Sequence, residues 1–408
     1  MSIKVLPDGW RELTLGDASH LFAGGTPSRS DPKHFDGDIP WVKSGEVNSG
    51  KITSTEEHIT EEALKNSSAK IAPAGCNLIA MYGATAGKIA KLKIDAAINQ
   101  AICAVVPNEN VSDSDFLFHA LTNSAQGILK KVQGSGQPNL SKQLLSSHII
   151  MFPPLPEQRR IAEILSSVDD AIAATQAVID QEKIVRRALL ENLFHRGSWD
   201  EGKKIPQGWK LTLLDSVTRR GSGHTPSKSY PEYWNGGVKW ISLQDTKRLD
   251  KIYISETTSK ISNLGITNSS AVIHPAGTVV VSRDATVGLS TVMTEPMAVS
   301  QHFISWHCGK QIDNLYLYYW LQHMKPILER IGSGSTIKTI GLQFFKSLEI
   351  PLPDVATQRK LAEAMKGVDD AIFGSQRAIE ELTRIKTALM SELLNGRKRV
   401  VTTAKAAE

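Results

Sequence analysis

Cysteine is scarce: Cys76, Cys103 and Cys308 are the only three in 408 residues. None belongs to a CxxC pair, so the pattern excludes a disulfide framework and a thiolate zinc site, and suits idle thiols in a reducing compartment. Long apolar runs are also missing. The best stretch, LYLYYWL at 315–321, is far too short to cross a bilayer. The opening MSIKVLPDGW lacks the apolar core of a secretory signal. These absences predict a cytoplasmic protein with no membrane role. Neither sign of charge dominates: Lys plus Arg number 47 against 42 Asp plus Glu, a net charge of +5. That balance permits a nucleic-acid partner without demanding one.

Catalytic motifs are missing as well. A methyltransferase acting on DNA amino groups calls for an Asn/Asp-Pro-Pro-aromatic motif, and FPPLP at 152–156 lacks the residue before the prolines. The G-x-G fragments at 134, 221 and 332 do not extend to G-x-G-x-x-G. The segment Gly83-Ala-Thr-Ala-Gly87-Lys88 superficially resembles a phosphate loop, but its glycine spacing is one short and Ile89 stands where a magnesium-binding hydroxyl belongs. His302, His307 and Cys308 lie close in sequence; on a strand, His307 and Cys308 face opposite ways, so no metal site is predicted. There is no HExxH or G-x-S-x-G. The chain reads as a non-enzyme.

What the chain does have is a repeat. LPDGW at 6–10 returns as IPQGW at 205–209. GGTPSRSDPKHFDGDIPWVKSGEV at 24–47 returns as SGHTPSKSYPEYWNGGVKWISLQDT at 222–246. APAG, GATAG, GSG and VDDAI all recur in the same order. The separations are 199 residues from 26 to 225, 202 from 72 to 274 and 200 from 168 to 368. A period near 200 is far too long for a solenoid, so each copy is a domain-sized module.

Each module has two parts. The first is broken by Gly, Pro, Asn and Asp into short β-rich runs such as KIAPAGCNLIAMYG and VIHPAGTVVVSRD, which read as strand–turn–strand. The second is helical, with apolar residues at 3- and 4-residue steps. The seam is Ile161, Leu165, Val168, Ile172, Ile179, Leu189 and Leu193 in the first copy. In the second it is Leu361, Met365, Val368, Ile372, Ile379, Leu382, Leu389 and Leu393. Thr175, Glu182, Arg186, Ser375 and Lys386 interrupt it, as polar residues that set register do. Pro156 is placed at the first helical position, and Gly197 and Gly396 just beyond the helix ends.

The predicted fold class is α+β: two mixed α/β domains with β-rich cores, separated by two long helices that form an antiparallel coiled coil. The predicted boundaries are 1–153 and 198–352 for the globules, 154–197 and 353–397 for the helices, and a disordered tail at 398–408. If a globule's entry and exit lie close together, the second helix runs back along the first. That geometry suits two DNA half-sites and two copies of one partner.

The assembled motifs resemble the specificity subunit of type I restriction–modification systems. They are GGTPSRS, IPWVKSGEV, APAG, GATAGK, NQA, GSGQPNLS and PPLPEQRRIAEILSSVDDAI, with a second set ending in PLPDVATQRKLAEAMKGVDDAI. The second copy departs where GSGSTIKTIG replaces GSGQPNLS and DVATQ replaces LPEQ. The resemblance implies two target-recognition domains, each reading half of a gapped, asymmetric double-stranded DNA site. It implies helices that dock two methyltransferase subunits, and restriction subunits with helicase and nuclease activity around that core. It also implies S-adenosylmethionine on the partner methyltransferase rather than on this chain. Two other readings stay open: a protein-interaction scaffold with no DNA role, and the specificity subunit of a related restriction system outside type I.

Phosphate contacts call for Lys, Arg and hydroxyls on approachable loops. The shared motifs supply Thr26, Ser28, Arg29 and Lys43, with Thr225, Ser227, Lys228 and Lys239 in the second copy. The Gly-rich loops supply Ser135, Gln137, Asn139 and Lys142, and Ser333, Ser335, Thr336 and Lys338. Trp10, Trp41, Trp209 and Trp240 recur across the copies and read as core.

Overall fold

Short apolar runs without polar alternation become strands covered on both faces, as expected for central strands of layered folds. A computed structural model describes residues 6–130, 139–194, 205–249, 251–332 and 339–400. Its contacts divide the chain into two units, Met1–Gln176 with Arg377–Glu408, and Ala177–Gln376. The division therefore cuts across both long helices, and each unit takes part of both.

The first unit contains strands β1 (Arg11–Thr14), β2 (Ser19–Ala23), β3 (Ile39–Val42), β4 (Lys51–Ile52), β5 (Glu57–Ile59) and β6 (Lys70–Ala72). It continues with β7 (Asn77–Ala80), β8 (Ile89–Leu92), β9 (Ala96–Ile98), β10 (Ile102–Pro107) and β11 (Ile149–Phe152). They form a five-stranded sheet in the order β2-β10-β7-β8-β4, a four-stranded sheet β5-β3-β9-β6, and the pair β1-β11. Pairing is antiparallel except for β3 with β9 and β4 with β8.

The second unit repeats this strand for strand. It has β12 (Lys210–Leu213), β13 (Thr218–Ser222), β14 (Trp234–Ile241), β15 (Tyr253–Ile254), β16 (Ser259–Ile261) and β17 (Ile273–His274). These are followed by β18 (Val279–Ser282), β19 (Ser290–Met293), β20 (Met297–Val299), β21 (Phe303–Cys308) and β22 (Glu349–Leu352). The sheet orders are β13-β21-β18-β19-β15, β16-β14-β20-β17 and β12-β22.

Side-chain alternation assigns the two faces of the central strands. In β10, Cys103 and Val105 join a core with helix α1 (Ser114–Lys130), whereas Ile102 and Ala104 face a core shared with β3 and β9. In β18, Val279 and Val281 face helix α3 (Asn314–Gly332), and Val280 faces the other way. The Pro-Ala-Gly turns do not close hairpins. They pass the chain from β6 in the smaller sheet to β7 in the larger, and from β17 to β18 in the second copy.

The long helices are α2 (Leu155–Phe194) and α4 (Val355–Leu393). Helix α2 starts one residue before Pro156, so that proline is the second helical residue, where its missing N–H is also not needed. Gln158 and Gln358 pin the two helix starts. Gln158 donates to the carbonyls of Val111 and Pro153 and accepts from Asp113 N–H at 2.8 Å. Gln358 repeats this with Gln311, Pro353 and Asp313. The glutamine is common to LPEQ and VATQ and makes the same buried bonds in both units.

Within each unit the helices run antiparallel. In the first, Ile161 and Leu165 of α2 share a core with Met390 and Leu393 of α4. In the second, Leu190 and Phe194 of α2 share one with Ala362 and Met365 of α4. All fifteen apolar seam residues are buried or half-buried, whereas Val178, Ile184, Val185, Phe373 and Ile385, off the seam, are exposed.

Residues 398–400 of the segment expected to be a tail are bonded into the first unit. Arg399 forms a bidentate pair with buried Glu157 at 2.8 and 2.9 Å and donates to the Asp8 carbonyl at 3.0 Å. Gly396 is left-handed at φ +66°, and a Cβ there would lie 2.6 Å from Pro7 Cγ. Residues 401–408 and Gly197 lie outside the described residues.

Candidate nucleic-acid interface

In the first unit, motifs separated by scores of residues meet at one end of the sheets. Gly24 packs so closely on β9 that a Cβ would fall 1.8 Å from the Ile98 carbonyl oxygen, so only glycine fits. Gly25 N–H then donates to Ile98 O, and the Thr26 hydroxyl bonds the Gln100 side chain. Met81 N–H bonds Ala101 O, Leu140 N–H bonds Met81 O, and Tyr82 bridges to Asn139. GGTPS, NQA, the turn after β7 and the segment from 139 thus form one continuous rim.

The second unit builds the same rim. A Cβ on Gly223 would lie 1.7 Å from Val299 O. His224 N–H bonds Val299 O, and Thr225 donates to Gln301 at 2.5 Å. Arg283 N–H bonds His302 O, Ile340 N–H bonds Arg283 O, and Thr339 bonds Asp284. His302 is hydrogen-bonded to Asp284 at 2.9 Å, away from His307 and Cys308. The turns at 83–87 and 284–288 are rim turns of the sheet, in keeping with their failure to match a phosphate loop.

The sequence-derived candidates fall into different situations. Ser28 bonds Ser30 at 2.7 Å, and Ser227 accepts from the Ser229 N–H, so both shape their own loop. Arg29 is paired with Glu57 at 2.8 Å and lies 4.4 Å from the Phe35 ring centroid. Lys43 bonds Glu56 at 2.8 Å and Glu57 at 3.0 Å. Those bonds, Glu56 first, raise the Lys43 pKa, and the bond from Lys43 is the leading cause lowering that of Glu57. Lys239 bonds Glu295 at 2.5 Å, Glu256 at 3.0 Å and the Ser255 carbonyl at 2.6 Å, and its pKa is raised by Glu295 and then Glu256. Lys228 is exposed and has no carboxylate partner among the described residues. Asn139 and Lys142 are exposed on the rim of the first unit, Lys142 opening a short helix capped by Ser141. Ser135, Gln137, Ser333, Ser335, Thr336 and Lys338 lie outside the described residues.

Register corrects one pairing of candidates. Trp41 aligns with Ala97 and Trp240 with Ala298, so the counterpart of Lys43 is Ser242, and Lys239 stands one residue before the tryptophan. The tryptophans are structural: Trp41 is 2% and Trp240 6% exposed, and each indole N–H donates to a rim carbonyl, Gly25 or His224. Trp10 is buried, and Trp209 packs beside Tyr316.

Sequence reasoning missed Gln100 and Gln301 as rim residues. Their signal was available: the NQA of the first copy recurs as SQH at the repeat spacing. It also missed Glu57, whose two cationic partners come from segments 28 and 14 residues upstream.

Comparison with known proteins finds the type I restriction modification DNA specificity domain twice, at residues 7–182 and 206–384. The MjaVIII type I restriction enzyme specificity subunit of Methanocaldococcus jannaschii is 24% identical over 97% of this chain and 94% of its own length. The EcoR124I/EcoR124II specificity subunit of Escherichia coli is 33% identical over 38% of this chain and 40% of its own. Among solved structures, the S subunit of a type I system from M. genitalium superposes with a TM-score of 0.61 at 15% identity, covering 97% of this chain and 98% of that one. A chain from work on assembly and conformational transition of the type I restriction–modification system gives 0.62 at 18% identity, covering 96% and 99%.

Proposed function

The chain belongs to the type I restriction–modification DNA specificity family, as a non-catalytic subunit that recognises DNA sequence, and from that premise we propose that each rim reads one half of a gapped, asymmetric duplex site. The observation that carries this is the convergence of GGTPS, NQA and the β7 turn on one rim, repeated in the second unit with the same backbone bonds. Shared rim elements cannot distinguish two half-sites. They hold the loops between them, where the copies differ, against the duplex: phosphate contacts position and base contacts specify. The partners in this reading are double-stranded DNA, two methyltransferase subunits docked on α2 and α4, and restriction subunits. S-adenosylmethionine belongs to the methyltransferase.

The test exchanges residues 1–153 for the matching domain of another family member and reconstitutes the complex with methyltransferase subunits. Sequencing of methylated bases is expected to show one half of the site changed and the other kept. Two unchanged halves, or two changed ones, refute the assignment.

A further inference from the structure

The two rims share a backbone and differ in electrostatics. In the first unit Trp41 of β3 stands opposite Glu57 of β5. In the second, Trp240 of β14 stands opposite Ser259 of β16. The position that holds a carboxylate in one copy therefore holds a hydroxyl in the other, Thr258 replaces Glu56, and Ser242 replaces Lys43. In the first unit Arg29 lies over Phe35 and is bound to Glu57, which also binds Lys43. Arg29 and Lys43 face Glu46, Glu56 and Glu57, a local balance of −1. In the second unit Asp245, at the place of Glu46, is held by Arg248 and Ser242, Lys239 takes up Glu256 and Glu295, and Lys228 has no carboxylate partner among the described residues. What opens there is a cleft of about 270 Å³ lined by Thr225, Lys228, Trp234, Ser259 and Gln301. The Trp234 N–H is committed to Ser227 O.

We propose that this cleft seats a backbone phosphate of the DNA on Lys228, whereas the counterpart place in the first unit is neutralised from within. The chemistry is that of an anion seat: one uncompensated ammonium, the side-chain amides of Gln244 and Gln301, whose oxygens are taken by Ser259 and Thr225, and indole walls that limit the water competing for them. Unpaired cations release counterions on binding; a cation already held by a carboxylate contributes less. The assignment rests on the DNA-recognition reading and adds a phosphate contact in the second unit at a place where the first unit's cation is already paired.

The experiment measures binding of the complex, reconstituted with methyltransferase subunits, to a fluorescent duplex across a salt series. Lys228→Gln is expected to weaken binding several-fold and to flatten the slope of log K against log salt by about 0.9, the loss of one phosphate contact. Ser259→Glu, which installs the carboxylate of the first copy, is expected to do the same. Glu57→Gln is expected to steepen the slope by freeing Arg29. The methylated sequence stays the same in Lys228→Gln. An unaltered slope in Lys228→Gln, or a change in the bases methylated, overturns the phosphate assignment. Failure of the wild-type complex to bind duplex at all would instead refute the DNA-recognition reading itself.

Discussion

His119 of α1 and Tyr319 of α3 occupy counterpart positions, each beside an aspartate of a VDDAI motif. Tyr319 donates to Asp369 at 3.0 Å. His119 is 1% exposed, bonded to Ser166 at 3.1 Å, and has its Nδ1 3.9 Å from Asp169. Burial, the largest cause, pushes its pKa down to about 4; Asp169 and Asp115 act the other way, and Lys386 and Lys91 reinforce the fall. The unfolded chain takes up this proton near pH 6.5. Between those values the unfolded state holds more protons, so the contribution is complete above pH 6.5 and is lost as pH falls towards 4. Its full size is at most ~3 kcal/mol. His274, whose pKa burial also lowers, acts in the same direction. The expected outcome is that His119→Tyr, the residue of the second copy, reduces the loss of stability between pH 7 and the acid end of that window. Urea unfolding at both pH values checks it, and an unchanged pH dependence refutes it.

At the scale of elements, the polar interruptions of the helix seam become a pair of clasps. Arg186 of α2 meets Asp369 of α4 at 2.5 Å, and Lys386 of α4 meets Asp169 of α2 at 2.6 Å. All four side chains are 15–28% exposed, so the pairs are partly desolvated. Breaking such a pair leaves a charge without its partner in a low-dielectric seam. Arg186→Asp, which sets two carboxylates against each other, is expected to destabilise by ~2 kcal/mol, the buried-pair cost discounted for solvent access. Adding Asp369→Arg is expected to recover most of it. A double-mutant cycle of unfolding free energies measures the coupling; additive effects would show that the clasp holds nothing. The spacings explain why the clasps were invisible beforehand. The partners are 183 and 217 residues apart, and only antiparallel pairing of the helices joins them.

At the scale of the whole molecule, the two ends of the described chain meet in the first unit. Arg399 bonds the Asp8 carbonyl, and Gly396 lies against Pro7. The link between Phe194 and Ile205 stands at the same place in the repeat. A circular permutant opened between 194 and 205, with a short flexible link joining the segment after Val400 to that before Leu6, keeps every described contact. It is expected to fold with near-unchanged helical content and to bind the same methyltransferase subunits. Circular dichroism and co-purification are the measurements. Loss of structure in the permutant would mean that chain order, beyond the contacts, is required.

The sequence by itself determined the period, the two modules, the long helices and the residues along their seam, because repetition and helical periodicity are local patterns that survive without coordinates. It also carried the rim motifs as words, though not as one surface. Only the tertiary structure decided which words touch: Thr26 with Gln100, Asn139 with Tyr82, Arg29 with Glu57. It also decided that Lys43 and Lys239 are not counterparts, and that of the cations proposed for DNA, Arg29, Lys43 and Lys239 already hold carboxylates while Lys142 and Lys228, among the described residues, do not. The reason is physical. A strand's facing side chains come from its sheet neighbours, and those neighbours are set by topology rather than by proximity along the chain.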